Sequence, residues 1–198
     1  MDILKELQQR ILFWDGGMGS LLQEQGLAPG ELPGTWNISH PQVITDIHQR
    51  YLEAGADIIN TNTFGVDALK YNENTGYQVE PVITAAVANV KEAIRRSGKP
   101  AFTALDLGPT GKLLKPLGDL TFEDACGLYR QVVEAGARAG ADLVLVETMS
   151  DSYETKAAVL AAKEACGLPV FVTVTFDERR KLLTGGSPAS IVAILEGL

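Results

Sequence analysis

Residues 53–61, EAGADIINT, and residues 138–148, RAGADLVLVET, repeat one local plan: a helix end, a Gly turn, an Asp, and a short apolar run. The two copies start about 85 residues apart. That spacing equals about two βα units with their loops, as expected where similar strands recur at alternate positions around a (β/α)₈ barrel. A-G-A-D is also a common helix-to-strand turn, so a doubly wound parallel sheet stays open as the rival architecture.

Working outward from these two strands, apolar runs bounded by turn signals alternate with segments of helical period, the pattern of a parallel sheet built from βα units. The runs predict five strands, at Ile11–Trp14, Asp57–Phe64, Ala101–Leu107, Leu143–Thr148 and Val170–Thr175. In SHPQ, Ser39 reads as an N-cap, Pro41 as first-turn proline and Gln42 as the far side of a capping box. The helix it opens runs to Gly55 and carries Val43, Ile44, Ile47, Tyr51 and Leu52 on one face. Thr121 with Asp124, and Asp151 with Glu154, open helices that end near Gly140 and Gly167, and Val79–Arg96 reads as another. A closed barrel takes about 250 residues. This chain has 198 and finishes in PASIVAILEGL, which reads as the fifth helix. The expectation is one α/β domain over residues 1–198: an incomplete TIM-type (β/α)₈ barrel of about five βα units, with open parallel edges.

Composition narrows the ligand. A 45% hydrophobic, 21% charged chain has the balance of an ordinary globular domain. A net charge of −8 without a basic stripe argues against nucleic acid and anionic membranes. There is no apolar run of about 20 residues, and MDILKELQQR is charged where a signal peptide is apolar, so a cytoplasmic location is expected. Cys126 and Cys166 are too few and too far apart for a disulfide framework or zinc module, and read as small buried hydrophobes.

In parallel α/β folds the chemistry gathers at the carboxyl ends of strands. Here those ends carry Asp15, Gly16 and Gly17 in FWDGGMGS; Thr61, Asn62 and Thr63; Asp106 and Gly108; Glu147 and Thr148; Thr175 and Asp177. This rim has no Lys, His or Cys, which speaks against a Schiff-base aldolase and against a Ser or Cys nucleophile with a histidine base. His40 and His48 lie on the helix that leads into the second strand, away from the rim, and read as surface or packing residues. GGMGSLL lacks the third glycine of a dinucleotide fingerprint. Two carboxylates, Asp15 and Glu147, suit an α-ammonium, and the N–H groups around Gly16 and Gly17 suit a carboxylate, so the rim reads as an amino-acid site. Hydrogen bonding to nearby loops, or Mg²⁺ held by Asp15, Asp106 and Glu147, are the alternatives.

FWDGGMGSLLQEQG, GADIINTNTFG, DLGPTGKLLKPLG, LVLVETMSDSYETKAAVLAAKE and TFDERRKLLTGGSPAS, taken in order, resemble the homocysteine S-methyltransferase domain, most closely that of cobalamin-dependent methionine synthases. The likeness runs from about Ile11 to the last residue. It implies a barrel that methylates the homocysteine thiol, with Asp15 and Glu147 as amino-group ligands and Gly16, Gly17 and Thr61 contacting the amino acid. Asp106 and the Gly108–Gly111 loop belong to the family pattern with a rim or folate-side role. Methylcobalamin is the implied donor, recharged from methyltetrahydrofolate by other cobalamin- and folate-binding modules.

One departure stands out. The family holds Zn²⁺ through three cysteines, one after strand six and an adjacent pair after strand eight, and no such cysteines are present. A free thiol with pKa about 8.5 is only a few per cent thiolate at neutral pH, and zinc coordination deprotonates it. The expectation is therefore a domain truncated before its zinc cysteines and inactive alone. A non-catalytic fragment that needs a complementary half, or a Mg²⁺-dependent barrel lyase, are the other readings.

Overall fold

A computed structural model describes residues 2–198. Its helices are α1 (Ile3–Leu7), α2 (Gly19–Glu24), α3 (Trp36–Ser39), α4 (Pro41–Ala54), α5 (Val79–Ser97), α6 (Phe122–Ala139), α7 (Ser152–Ala165) and α8 (Pro188–Glu196). Its strands are β1 (Ile58–Asn60), β2 (Phe102–Leu107), β3 (Leu143–Met149) and β4 (Val170–Val174). They form one parallel sheet in the order β1-β2-β3-β4. The repeated segments thus lie two strands apart, with β2 between them. Each long helix packs on the next, α4 on α5, α5 on α6 and α6 on α7. A sequential strand order with successive helices in contact is the barrel arrangement rather than the doubly wound one, and the sheet does not close. No helix is long and apolar enough to cross a membrane among the described residues.

The two faces of the sheet follow from strand alternation. Leu105, Leu107, Val144 and Val146 point outward and join Val82, Ile83, Val132, Val133 and Ala158 in the main core. Ile58, Phe102, Ala104 and Leu143 point inward, where Ile3 of α1 and the half-buried Leu12, Trp14 and Phe171 cover them.

Two expectations about local structure need correction. The strand at 11–14 is reduced to a single parallel bridge, Trp14 to Ile58. The carbonyl of Phe13 accepts from Asp57 and Ile58 N–H, and Asp15 N–H donates to Ile58, but the N–H of Phe13 goes to the Asp57 carboxylate at 2.9 Å. A side chain there takes the place of the next ladder acceptor, and Ile11 and Phe13 remain exposed. The second strand stops at Asn60 because Thr61 and Thr63 turn the chain, with the N–H of Thr63 bonded to the carbonyl of Thr61 at 2.8 Å.

The caps also differ. His40, not Ser39, precedes α4, and no side chain caps that end. Trp36–Ser39 form their own turn, the His40 ring stacks on Trp36 at 4.2 Å, and Gln42 bonds to Asp46 instead. Thr121 and Asp151 cap α6 and α7 as expected. Cys126 and Cys166 are half-buried rather than buried, at the margins of the helix-side clusters.

Candidate functional site

At the carboxyl ends of the strands a cleft of about 680 Å³ opens, lined by Asp15, Gly16, Gly17, Asn60, Asp106 and Glu147 among others. Inward alternation puts them there. On β1 the sequence runs Ile58 to Asn60, on β2 Ala104 to Asp106, and on β3 Leu145 to Glu147, in each case one apolar inward residue and then one polar residue at the rim. β3 carries a register shift between Val146 and Met149 against β4. This bulge returns Met149 to the outer core while Glu147 stays on the cleft side. Within it Thr148 has φ 55°, a strained conformation for a β-branched residue, and its N–H donates to Thr173 Oγ1 at 2.8 Å.

The loop that carries Asp15 is held from two sides. Asn60 N–H donates to Asp15 Oδ2 at 3.0 Å, and the Trp14 indole donates to Asn60 Oδ1 at 2.6 Å. From α4, the Tyr51 hydroxyl donates to the carbonyl of Gly17 at 2.9 Å. A Cβ at Gly16 would stand 2.9 Å from that same hydroxyl oxygen, so Gly16 is bare to admit Tyr51. Gly17 meets only ordinary contact, and the N–H groups of Gly16 and Gly17 make no hydrogen bond among the described residues.

The electrostatics are one-sided. No Lys, Arg or His lines the cleft among the described residues. Burial, opposed by the Asn60 N–H and reinforced by the charge of Glu147, pushes the Asp15 carboxyl up to about 7. Its Oδ1 is buried without a partner. Burial also raises the Glu147 carboxyl. Asp106 is 4% exposed, its Oδ1 lacks a partner, and burial followed by the charges of Glu147 and Asp15 holds it well above the usual carboxylate range.

Of the residues singled out from sequence, Asp15, Gly16, Gly17, Asp106 and Glu147 share this cleft, and Thr61 lies behind it. The Thr61 hydroxyl accepts from Asp106 N–H at 3.1 Å and bonds to Thr63 Oγ1 at 2.6 Å, which in turn donates to the Asp106 carbonyl at 2.7 Å. The Gly108–Gly111 loop is anchored from below. Glu154 Oε1 accepts from Thr110 N–H at 2.8 Å, Thr110 Oγ1 at 2.6 Å and the Tyr129 hydroxyl at 3.1 Å, all buried. Glu154, read from sequence as part of a helix cap, therefore belongs to this loop, where no short-range signal points to it. Above it, the Phe64 ring presses on Gly108 where a Cβ would stand 2.7 Å from the ring, and forms one wall of the cleft. Asn60, Phe64 and Trp14 also went unnoticed in the sequence as cleft residues.

A family model described as homocysteine S-methyltransferase matches residues 12–198. The chain belongs to the homocysteine S-methyltransferase family. It is 31% identical to the methionine synthase of Mycobacterium leprae (strain TN) and 30% identical to that of Mycobacterium tuberculosis (strain ATCC 25618 / H37Rv), with all of this chain aligned. It spans 18% of the length of those relatives. Among solved structures, the metallated form of the homocysteine methyltransferase MmuM from Escherichia coli gives a TM-score of 0.84 at 20% identity, over 98% of this chain and 73% of that one. The apo form gives 0.77 at 24% identity, over 96% and 70%. Likeness at that identity speaks for the fold: this is the (β/α) barrel architecture of the family, incomplete in the described chain.

The zinc that the resemblance implies does not fit the residues present. No group of three or more His, Cys, Asp or Glu side chains is placed to hold a metal ion among the described residues, and neither Cys126 nor Cys166 lines the cleft. The same observation weighs against Asp15, Asp106 and Glu147 as a site for Mg²⁺, which draws its oxygen ligands in to about 2.1 Å, closer than a hydrogen-bonded ammonium requires.

Proposed function

We propose that this chain is the amino-acid-binding part of a homocysteine S-methyltransferase of the methionine synthase type. The observation that carries the reading is the pairing, in one cleft of a family member, of a cation-free acidic wall with the free N–H groups of Gly16 and Gly17. An α-amino acid presents a cation and an anion one carbon apart, and this cleft offers acceptors and donors side by side. Asp15 and Glu147 accept from the α-ammonium, and the Gly16 and Gly17 N–H groups donate to the α-carboxylate. Phe64 and Leu145 supply apolar lining for the remainder of the side chain.

What these residues supply is positioning, which turns a two-body encounter into a pre-oriented one. None of the described residues is placed to activate the thiol. On this reading the methyl group comes from methylcobalamin held by another module and recharged by a folate-binding one, and the chain alone binds homocysteine without turning it over. Calorimetric titration with L-homocysteine tests it. Binding that is weakened about tenfold or more by Asp15→Asn and by Glu147→Gln supports the reading; indifference of both variants, or equal affinity for 4-mercaptobutyrate, which lacks the amine, defeats it.

A second reading, that another chain covers the open edges of the sheet, is favoured by the exposure of Ile11 (78%) and Phe13 (63%) beside β1 and by the half-exposed face of β4. Sedimentation analysis that shows a monomer, together with amide exchange that shows β4 protected, removes it.

A further inference from the structure

Asp106 presents a feature that the amino-group pair of Asp15 and Glu147 leaves unexplained. It is buried, yet Oδ1 has no hydrogen-bond partner, and the residue lines the cleft. Its main chain is clamped at both polar atoms, N–H to Thr61 and carbonyl from Thr63, so the side chain is delivered on a rigid strand rather than a loop. A buried carboxylate oxygen without a donor is costly to leave unmade. Asp15 shows the same deficit at Oδ1. The charges that face Asp106 are those of Glu147 and Asp15, both acidic, so the protein itself provides no cation to relieve it.

Resting on the amino-acid reading above, the geometry points to Asp106 as the third acceptor of the ligand's ammonium group, which makes the cleft selective for an unsubstituted primary α-amine. A primary ammonium has three N–H donors. Asp15, Asp106 and Glu147 give each of them a carboxylate, from three separate segments, the loop after Trp14, β2 and β3. A secondary ammonium has two donors and a methyl group, and any direction the methyl takes replaces a charge-assisted hydrogen bond with an apolar contact against a carboxylate. The raised Asp106 carboxyl accords with a group that waits for a cationic partner.

The test compares L-homocysteine with N-methyl-L-homocysteine by calorimetric titration of the full chain. The unaltered protein is expected to prefer the primary amine roughly ten- to hundredfold, the value of one hydrogen bond to a charged group. Asp106→Ala is expected to weaken homocysteine by a similar factor and to bring the preference down to about one, because the methyl group then enters the space the carboxylate left. A merely structural role for Asp106 would not move that ratio. Homocysteine affinity and preference both unchanged in Asp106→Ala overturn the assignment while the amino-acid reading stands. Equal affinity of the two ligands for the unaltered protein overturns it without any variant, even if Asp106→Ala fails to fold. Absence of homocysteine binding to the unaltered protein overturns both.

Discussion

The two faces of the same sheet make opposite use of the same strands. On the outer face the apolar residues of the two central strands are packed away: Leu105, Val144 and Val146 are fully buried against the helices. On the inner face the apolar layer ends at Ile58, Ala104 and Leu145, and above it Asp15, Asp106 and Glu147 line one cleft without a cation. The outer face is stable as it stands, whereas the inner rim stores electrostatic cost that a ligand can relieve. The difference teaches that this domain separates stability from recognition by the parity of its strand residues: one step along β2, from Leu105 to Asp106, crosses from one task to the other.

That contrast can be broken at its strongest point first. Leu105→Ala should cost about 2–5 kcal/mol of stability, read by denaturant unfolding, since a fully buried leucine loses transfer energy and leaves a cavity. Next in size is His48, which is wholly buried with neither ring nitrogen bonded and is pushed by burial down to about 3. The folded state excludes a proton that the unfolded chain takes up below its ordinary value of about 6.5. Its contribution is present above that pH and is lost as the pH falls, by about 3 kcal/mol between pH 6.5 and 4. His48→Leu should flatten this part of the stability profile.

Asp15→Asn sharpens the comparison, because it should act in opposite directions on binding and on stability. The Asp15 carboxyl is raised in the folded state, so its contribution is fully present below the ordinary value of 3.8 and is lost progressively as the pH rises from there through about 7. The variant should melt about 2–4 °C higher at pH 8, with the difference shrinking as the pH falls through 7 toward the ordinary value of 3.8, while homocysteine affinity falls about tenfold or more. In the unaltered protein, affinity for the amine should drop as the pH falls below about 7 and Asp15 takes up its proton. The smallest effect concerns fit on the outer face. A Cβ at Gly136 of α6 would overlap the side chain of Leu105, so Gly136→Ala should destabilise by about 1 kcal/mol, overpacking outweighing the gain in helix propensity.

Much of the outer face was legible in the chain. The apolar runs in residues 101–107 and 143–148 and the helical period of α4 encode their own burial. So do the caps at Thr121 and Asp151, whose partners lie two or three residues away. The first strand was less legible, because whether FWD joins a ladder depends on where Asp57 sends its carboxylate, 44 residues further on. The rim was legible in kind: acids and glycines at strand ends point to a small ligand with an ammonium group. Their partners were not.

By itself, then, the sequence determined the alternation of strands and helices, the strand ends at which polar residues gather, and the family to which the chain belongs. These rest on short-range periodicity and on ordered motifs. Only the tertiary structure decided that Gly16 is bare for the Tyr51 hydroxyl, that Glu154 anchors Thr110, that Thr61 stands behind the cleft, and that Asp106 faces it unpaired. Each of these is a contact or a missing contact between segments far apart in the chain, and hydrogen-bond satisfaction in a buried site is settled by the whole set of neighbours, which no local pattern encodes.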